Sequence, residues 1–261
     1  MKIVVRPDAG SVATLAVRLI ARAIETKPDC VLGLATGRTM ETIYAGLVAM
    51  HRAGALDFRQ CRSFNLDEYI GLAPDDPHSY RSYMDRHLFS SVNIDPARTH
   101  LPDGHDPDHA AQAALYEAAI AGAGGIDLQL LGIGETGHIG FNEPLSPFRS
   151  RSRAVTLAPG TRGQNAGMFN GDPARVPRRA MTMGIATILD ARRILLVATG
   201  PAKAAMLARA IEGPMTAMIS GSALQLHPDC LVLADEAAAA RLAERDYYDW
   251  IVENEPELLA P

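Results

Sequence analysis

Short apolar runs alternate with amphipathic stretches along nearly the whole chain. The apolar runs predict seven strands, several of them apolar almost throughout, as buried parallel strands are. They cover residues 2–6, 30–35, 61–66, 127–131, 153–157, 193–198 and 230–234. Residues 12–24 and 205–211 show the spacing of amphipathic helices, and a further helix is predicted to begin near Met40. The alternation predicts one α/β domain over residues 1–261, with an open, mostly parallel twisted sheet and helices on both faces.

In sheets of this kind ligands bind beyond the carboxyl ends of the strands, so functional residues are expected directly after strands.

The composition and charge of the chain limit the kinds of partner that it can bind. The chain has 261 residues, of which 48% are hydrophobic, enough for a substantial core. A net charge of −5 and a pI near 5.9 argue against a nucleic-acid partner, which would need a basic face.

No apolar run approaches the roughly 20 residues of a membrane span, and the opening apolar run is too short for a signal peptide. We therefore expect no membrane partner and a cytoplasmic location. Cys30, Cys61 and Cys230 are far apart and show no CxxC or Cys/His spacing. We interpret them as small core residues or edge thiols, and no metal site is predicted.

A Thr-Gly turn follows the predicted strand 30–35, with the sequence Thr36-Gly37-Arg38-Thr39. Its backbone N–H groups, hydroxyls and guanidinium, at the positive end of a helix dipole, are suited to hold a phosphate. Taken alone, the turn is explained equally well by an ordinary helix cap at Thr36 or Thr39.

A second Thr-Gly turn follows the predicted strand 193–198 and leads into a helix with Pro201 at its first position. Lys203 falls on the first turn, where a cation is unfavourable unless it holds an anion. Two such turns in one sheet favour a phosphate site, although Lys203 could also extend into solvent.

Two adjacent acids, Asp67 and Glu68, follow the predicted strand 61–66. Neighbouring side chains at a strand end point in different directions, so at most one carboxylate faces a ligand and the other braces the loop or a neighbouring helix. Asp67 could act as a general base, but a capping or turn role is the more frequent use of such a residue.

The segment Gly132-Ile-Gly-Glu-Thr-Gly-His-Ile-Gly-Phe-Asn-Glu-Pro144 matches a dinucleotide-binding fingerprint in its first six residues. The context excludes that interpretation, because a shaped loop follows Gly137 instead of a helix and no acid occurs between Glu143 and Asp172. An imidazole at His138, oriented by the Glu143 carboxylate, could move protons near neutral pH. A structural histidine in a tight loop is the alternative.

Four motifs together resemble the glucosamine-6-phosphate deaminase family: LATGxT at residues 34–39, FNxDEY at 64–69, GxGxxGHIxFNEP at 132–144 and LQLHP at 224–228. The resemblance covers nearly the whole chain in order and implies a Rossmann-like fold. It implies the conversion of D-glucosamine 6-phosphate and water to D-fructose 6-phosphate and ammonia, with an amino sugar phosphate as the small-molecule partner. No metal or organic cofactor is implied.

The resemblance also assigns roles. Asp67 matches the base that moves a proton between C2 and C1, and His138 with Glu143 matches the pair that opens the pyranose ring. Thr36, Gly37, Arg38, Thr39 and Lys203 match the positions that hold the phosphate.

The chain departs from the family pattern at three positions. Thr136 stands where an acid or amide usually orients the imidazole, so we expect a less basic His138. Gly167 stands where an arginine commonly binds the phosphate, whereas Arg38 occupies a position that is usually small. We hypothesise that Arg38 supplies the missing guanidinium. The departures could equally indicate galactosamine 6-phosphate or another amino sugar phosphate as the substrate.

Two rival functions share this architecture. A 6-phosphogluconolactonase needs no ring-opening pair, which His138 and Glu143 supply. A sugar-phosphate-sensing regulator needs a DNA-binding element, for which the chain has no room before the first strand at Lys2. An allosteric site of some relatives is matched by Arg153 but not by Val155 two residues later.

The least regular part, residues 144–177, is rich in arginine and free of acids up to Asp172. It fits a solvated basic loop and a mobile anion-binding lid equally well. The sequence does not give the oligomeric state, and a homo-oligomer is compatible with it.

Overall fold

The computed structural model describes residues 1–256, so the last five residues of the predicted domain 1–261 lie outside the described residues. Within that range the strands are β1 Lys2–Arg6, β2 Val31–Leu34, β3 Arg62–Asn65, β4 Asp67–Tyr69, β5 Thr99–His100, β6 Leu128–Gly132, β7 Arg153–Thr156, β8 Arg179–Thr182, β9 Arg193–Ala198 and β10 Cys230–Asp235. The α-helices there are α1 Ala9–Thr26, α2 Arg38–Arg52, α3 Tyr80–His87, α4 His109–Gly122, α5 Pro159–Asn165, α6 Ile185–Leu189, α7 Ala204–Ile211, α8 Glu236–Ala239 and α9 Arg245–Asn254.

Seven strands form a central sheet in the order β1-β10-β9-β6-β2-β3-β5, and each neighbouring pair is parallel. The inner strands β2, β9 and β10 are buried over almost their whole length, which is why their sequences are apolar on both faces. Helices pack around the sheet, with α1 against α2 and against β9 and β10. The predicted α/β class with an open parallel sheet is confirmed.

The helix predicted from the spacing of residues 12–24 is α1. It begins after Asp8, whose side chain accepts a hydrogen bond from the Ser11 N–H at 2.7 Å. Val12, Ala16 and Ile20 are buried against the sheet side of the core, as the amphipathic pattern requires.

A second, antiparallel sheet has the order β4-β8-β7. The sequence pattern predicts neither β4, β5 nor β8, each of which has at most four residues. The run at 153–157 does form a strand, β7, but in this second sheet and not among the parallel strands, which corrects the expectation. β7 is only partly buried, because one side of the small sheet covers a separate apolar cluster. That cluster contains Tyr69, Tyr80, Phe141, Leu157, Ala166, Phe169, Val176 and Ala180.

The order of the central sheet decides which loops meet. Strands β9, β6, β2 and β3 are consecutive neighbours, and parallel strands share one carboxyl edge. The segments that follow them therefore lie side by side, and these segments carry the residues singled out in the sequence. Among residues 1–256, no helix is both long and apolar enough to cross a membrane.

Candidate active site

The turn after β2 is shaped by glycine. Gly37 is the N-cap of α2 with φ 116°, a conformation that favours glycine, and among the described residues no side chain caps this helix end. The alternative that Thr36 or Thr39 caps the helix is therefore wrong. Thr39 Oγ1 instead lies 3.3 Å from Thr199 Oγ1 on the neighbouring turn. The helix start keeps its N–H groups available for an anion.

The turn after β9 brings a second cation to the same place. Pro201–Lys203 forms a 3₁₀ turn and α7 begins only at Ala204, so the expectation that Pro201 opens the α-helix is corrected. Burial lowers the pKa of the Lys203 ammonium, the charge of Arg38 acts in the same direction, and Glu135 opposes them. Lys203 and Arg38 thus lie close enough to repel, and an anion between them would relieve that repulsion.

Arg38 is exposed on the first turn of α2, and within the described part of the chain no carboxylate forms an ion pair with it. Gly167, where the family pattern has an arginine, lies on the 3₁₀ helix Ala166–Phe169. A Cβ at Gly167 would meet no atom within 4 Å, so this position is open. The exchange of roles between these two positions stays a prediction.

Asp67 begins β4, opposite Thr182, and is buried. Its carboxylate has no hydrogen-bond partner among residues 1–256, and burial together with the charge of Glu68 raises the pKa of Asp67 well above its ordinary value. A Cβ at Gly140 would lie 3.5 Å from Asp67 Oδ2, so the carboxylate faces the loop that carries His138. A buried carboxylate without donors is a strong base.

Glu68 has the bracing role that the sequence allowed for one of the two acids. Its carboxylate accepts hydrogen bonds from the backbone N–H groups of Tyr69, Tyr80 and Arg81 at 2.8, 2.9 and 2.9 Å. Two of these groups belong to the first turn of α3, so Glu68 anchors that helix start. The two adjacent carboxylates therefore point to different neighbours, as predicted.

The loop after β6 is a tight turn and not a dinucleotide fingerprint. The Gly134 N–H donates to the His138 carbonyl at 2.8 Å, and the Gly137 N–H donates to the Gly134 carbonyl at 3.0 Å. Gly137 has φ 79°, and no helix of the described chain lies between β6 and β7. A Cβ at Gly134 would lie 2.2 Å from His138 Nε2, so only glycine lets the imidazole pack against the backbone there.

The imidazole of His138 is oriented through its Nδ1 atom. Thr136 Oγ1 lies 2.7 Å from Nδ1, and Glu143 Oε2 lies 3.9 Å from it. Burial lowers the pKa of His138, the charge of Glu143 opposes this, and Lys203 adds to the lowering. Thr136, which the family pattern placed at the position that orients the imidazole, is therefore the direct partner, and Glu143, which the spacing suggested for that role, is the nearby charge.

Glu143 also ties the loop to the following segment. Its Oε1 accepts a hydrogen bond from the Ala158 N–H at 2.9 Å, at the start of α5, while its buried Oε2 has no hydrogen-bond partner among the described residues. One carboxylate oxygen of Glu143 is thus held by a hydrogen bond, and the other is available to a substrate or to the imidazole.

The candidate residues come together at the shared edge of β9, β6, β2 and β3. Lys203 is close enough to His138 to lower the pKa of the imidazole, and Asp67 faces Gly140, two residues beyond His138. The arrangement places two cations at helix starts, an imidazole next to them and a buried carboxylate beyond it. It can hold an anion at one end and transfer protons at the other.

Sequence reasoning missed several residues of this region. Glu135 lies near both Lys203 and His138 and acts on the pKa of each. Asp235 holds the second turn by accepting from the Gly200 N–H at 3.0 Å. Its position at the end of an apolar run is a signal that could have been used. Within residues 1–256, no group of three or more His, Cys, Asp or Glu side chains is arranged to hold a metal ion.

Comparison with known proteins identifies related chains. The family model of glucosamine-6-phosphate isomerases and 6-phosphogluconolactonases matches residues 8–232. A glucosamine-6-phosphate deaminase of Shewanella loihica is 49% identical over 259 residues, covering 99% of this chain and 96% of the relative. One of Streptomyces coelicolor is 45% identical over 257 residues and covers 98% of each chain.

Among solved structures, a monomeric glucosamine-6-phosphate deaminase superposes with a TM-score of 0.90 at 42% identity, covering 92% of this chain and all of the other. A 6-phosphogluconolactonase from Trypanosoma cruzi gives a TM-score of 0.74 at 21% identity, covering 93% of this chain and 97% of the other. The second likeness concerns the fold alone.

Proposed function

The chain belongs to the family of glucosamine-6-phosphate isomerases and 6-phosphogluconolactonases, and on that premise we propose that it is a glucosamine-6-phosphate deaminase. It converts D-glucosamine 6-phosphate and water to D-fructose 6-phosphate and ammonia. The two relatives named for this activity above are 49% and 45% identical over nearly the full chain, whereas the Trypanosoma cruzi 6-phosphogluconolactonase is 21% identical.

One observation carries the assignment of roles. A buried imidazole with a hydroxyl partner and a carboxylate lies between a two-cation anion site and an unpartnered buried carboxylate. A lactonase needs the anion site and one base, but a closed amino sugar also needs a group that opens its ring. Thr136, His138 and Glu143 supply such a group.

Ring opening comes first, because a closed hemiacetal has no carbonyl to acidify the C2–H bond. We assign this step to His138. Since burial keeps the pKa of His138 low, the imidazole is neutral near pH 7 and can take the proton from the anomeric hydroxyl. It then gives a proton to the ring oxygen as the C1–O5 bond breaks. Glu143 stabilises the transient imidazolium, and Thr136 keeps the ring oriented.

Isomerisation and deamination follow. Asp67, as carboxylate, removes the C2 proton to give an enolamine, and the proton returns to C1. The resulting C2 iminium is hydrolysed by water to the ketone and ammonia. The unpartnered, buried state of Asp67 supports this role, because desolvation makes the carboxylate more basic.

The phosphate is proposed to bind at Thr36, Gly37, Arg38, Thr39 and Lys203, at the N-termini of α2 and of the turn before α7. The helix dipole and the two cations support this placement. In this proposal the Arg38 guanidinium takes the place of the arginine that the family pattern has at position 167, because it can contact the same phosphate from the turn after β2.

Four expectations from the sequence remain part of the proposal. The chain acts as one domain over 1–261, in the cytoplasm, and residues 144–177 form a lid over the site. The tie between Glu143 and Ala158, at the start of α5, supports a link between lid and site. A homo-oligomer is compatible with the activity, and size-exclusion chromatography with light scattering measures the state directly.

The proposed reaction is tested with purified protein by following ammonia and fructose 6-phosphate. We expect both products from glucosamine 6-phosphate in equal amounts, and no turnover of glucosamine or 6-phosphogluconolactone. Parallel assays with galactosamine 6-phosphate measure the alternative substrate. Absence of ammonia from every hexosamine phosphate would refute the function, and a preference for galactosamine 6-phosphate would revise the substrate.

The role of Arg38 is tested by Arg38→Ala. We expect KM to rise about tenfold or more, the value of a charge-assisted phosphate contact, with kcat little changed. Arg52→Ala, at the other end of the same helix, is the matched control. Equal kinetics of the two variants would rule out the exchange between positions 38 and 167.

A further inference from the structure

Two buried tyrosines hold the backbone of the turn that follows β2. The Tyr44 hydroxyl, on α2, donates to the Ala35 carbonyl, and the Tyr83 hydroxyl, on α3, donates to the Gly37 carbonyl at 2.9 Å. The two tyrosines are 0% and 3% exposed. A carbonyl oxygen accepts hydrogen bonds and cannot donate them, so the phenols are the donors and the direction of both bonds is fixed.

The two held carbonyls decide where the following amide groups point. Among residues 1–256 no peptide bond is cis, and in a planar trans peptide the C=O and N–H bonds point in opposite directions. Since the Ala35 carbonyl is turned to a phenol, the Thr36 N–H points the other way. The same relation holds between the Gly37 carbonyl and the Arg38 N–H. Ala35 is buried whereas residues 37 and 38 are exposed, so the tyrosines hold the inner side of the turn.

The amide groups of this turn are available to a ligand. Within the described part of the chain, the N–H groups of the four consecutive residues 36–39 have no acceptor. The turn after β9 is different, because the Asp235 carboxylate accepts from the Gly200 N–H at 3.0 Å. The turn after β2 therefore keeps a run of backbone donors for an anion, whereas a carboxylate of the protein already uses the donor at Gly200.

We propose that Tyr44 and Tyr83 orient the turn after β2, so that the Thr36 and Arg38 N–H groups donate to the substrate phosphate. This inference rests on the proposed function, which places the phosphate at that turn. The two tyrosines are positioning residues, because they act through the backbone of the turn.

The orientation matters because a phosphate dianion accepts hydrogen bonds and is repelled by a carbonyl oxygen. Gly37 has φ 116° and the wide conformational freedom of glycine, so its peptide needs a partner to hold it. Its carbonyl also accepts from the Met40 and Glu41 N–H groups, at 2.9 and 3.3 Å. The Ala35 carbonyl has no second donor among the described residues. Loss of the Tyr44 hydroxyl should therefore disturb the turn more than loss of the Tyr83 hydroxyl.

The test uses Tyr44→Phe and Tyr83→Phe, which remove one hydroxyl each and keep the ring. We expect the inhibition constant of inorganic phosphate and the KM for glucosamine 6-phosphate to rise about fivefold in Tyr83→Phe and about tenfold in Tyr44→Phe, the range of one weakened or lost hydrogen bond to a charged group. The kcat should stay within about threefold, because His138 and Asp67 keep their places.

Tyr116→Phe is the matched control. Its phenol is also buried and donates at 2.7 Å to a backbone carbonyl at the end of a central strand, that of Asn65. This variant loses the same kind of bond, but its phosphate binding should equal that of the parent protein. Thermal unfolding is measured for each variant, and Tyr83→Phe decides if Tyr44→Phe does not fold. Parental phosphate binding by Tyr83→Phe, or an equal loss in Tyr116→Phe, would overturn the inference.

A second measurement observes the amide groups directly. Titration of isotope-labelled protein with inorganic phosphate should move the Thr36 and Arg38 amide proton signals downfield in NMR spectra, because both groups donate to the anion. Tyr83→Phe should reduce the shift of Arg38 more than that of Thr36, and Tyr44→Phe should do the opposite. Unmoved Thr36 and Arg38 signals, while phosphate still competes with substrate, would overturn the inference. Failure of phosphate to inhibit the parent protein is a different result, because it refutes the proposed phosphate site itself.

Discussion

The close approach of His138 to Gly134 gives the sharpest test of the site. Gly134→Ala adds one methyl group that would lie 2.2, 2.3 and 2.6 Å from Nε2, Cε1 and Cδ2 of the imidazole. Gly134 does not have a positive φ, so the backbone accepts alanine without strain. The added methyl group should therefore displace the His138 side chain without straining the backbone.

The size of the displacement follows from these distances. Ordinary contact begins at 3.4 Å, so the Nε2 edge must move by about 1.2 Å. The Nδ1 edge is held by Thr136 Oγ1 at 2.7 Å, and a shift of that size breaks or bends this hydrogen bond. Misplacing a catalytic group by about 1 Å costs on the order of 100-fold in rate, or about 2.7 kcal/mol of the barrier.

The assay is steady-state ammonia release from glucosamine 6-phosphate. We expect kcat of Gly134→Ala to fall about 100-fold, with KM and the inhibition constant of inorganic phosphate little changed, because the anion turns are untouched. Gly132→Ala, at the end of β6 and two residues before Gly134, is the matched control. Its new Cβ would meet only the terminal methyl of Met40, at 3.3 Å, and a methionine side chain yields easily.

The reasoning is refuted if Gly134→Ala and Gly132→Ala have kcat values within about threefold of each other while both are folded. That result would mean that the position of the His138 ring does not limit turnover. Ring opening would then have to be assigned to another group.

Three further predictions concern the charges of the site. Asp67→Asn should abolish ammonia release yet raise the Tm by a few degrees at pH 7, because the raised pKa of Asp67 means that its ionised form opposes folding. This gain in Tm over the parent protein should fade as the pH drops from the folded-state pKa of Asp67 towards 3.8. An unchanged Tm at pH 7 would contradict the prediction. Glu68→Ala should lower the free energy of unfolding by roughly 3 kcal/mol, or the Tm by about 5–10 °C, because three backbone donors lose their acceptor. A variant as stable as the parent protein would exclude the anchoring role of Glu68. Thr136→Asp should raise the pKa of His138, seen by NMR titration of the ring, since a carboxylate beside Nδ1 favours the imidazolium; a lower pKa would show that burial outweighs the new charge.

Much of the fold and part of the site could be predicted from local pattern. Side-chain periodicity and glycine placement depend on near neighbours in sequence. They predict the alternation of strands and helices, the helix at 12–24 and the two Thr-Gly turns. The different directions of Asp67 and Glu68 also follow from strand geometry. The short strands β4, β5 and β8 could not be found this way, because four residues or fewer carry too little periodic signal.

The partners of His138 could be predicted only in part: the family pattern placed Thr136 where a residue orients the ring, but the sequence did not show that Glu143 lies farther away. Thr136 Oγ1, and not Glu143, is the atom nearest His138 Nδ1, although both residues are close to His138 in sequence. The reason is that loop torsions set these distances and side-chain spacing does not. The hydrogen bond from the Asn165 side chain to the Tyr69 hydroxyl joins positions 96 residues apart, and no local pattern predicts it.

By itself, the sequence determined that this chain alternates strands and helices and that the polar candidate residues follow the strands, because both properties depend on whether each side chain prefers to be buried or exposed. Only the tertiary structure decided that β7 leaves the parallel sheet, that Asp67 faces Gly140, and that Lys203 and Arg38 approach each other. These relations depend on the sheet order β9-β6-β2-β3, which is fixed by how all the helices share one core.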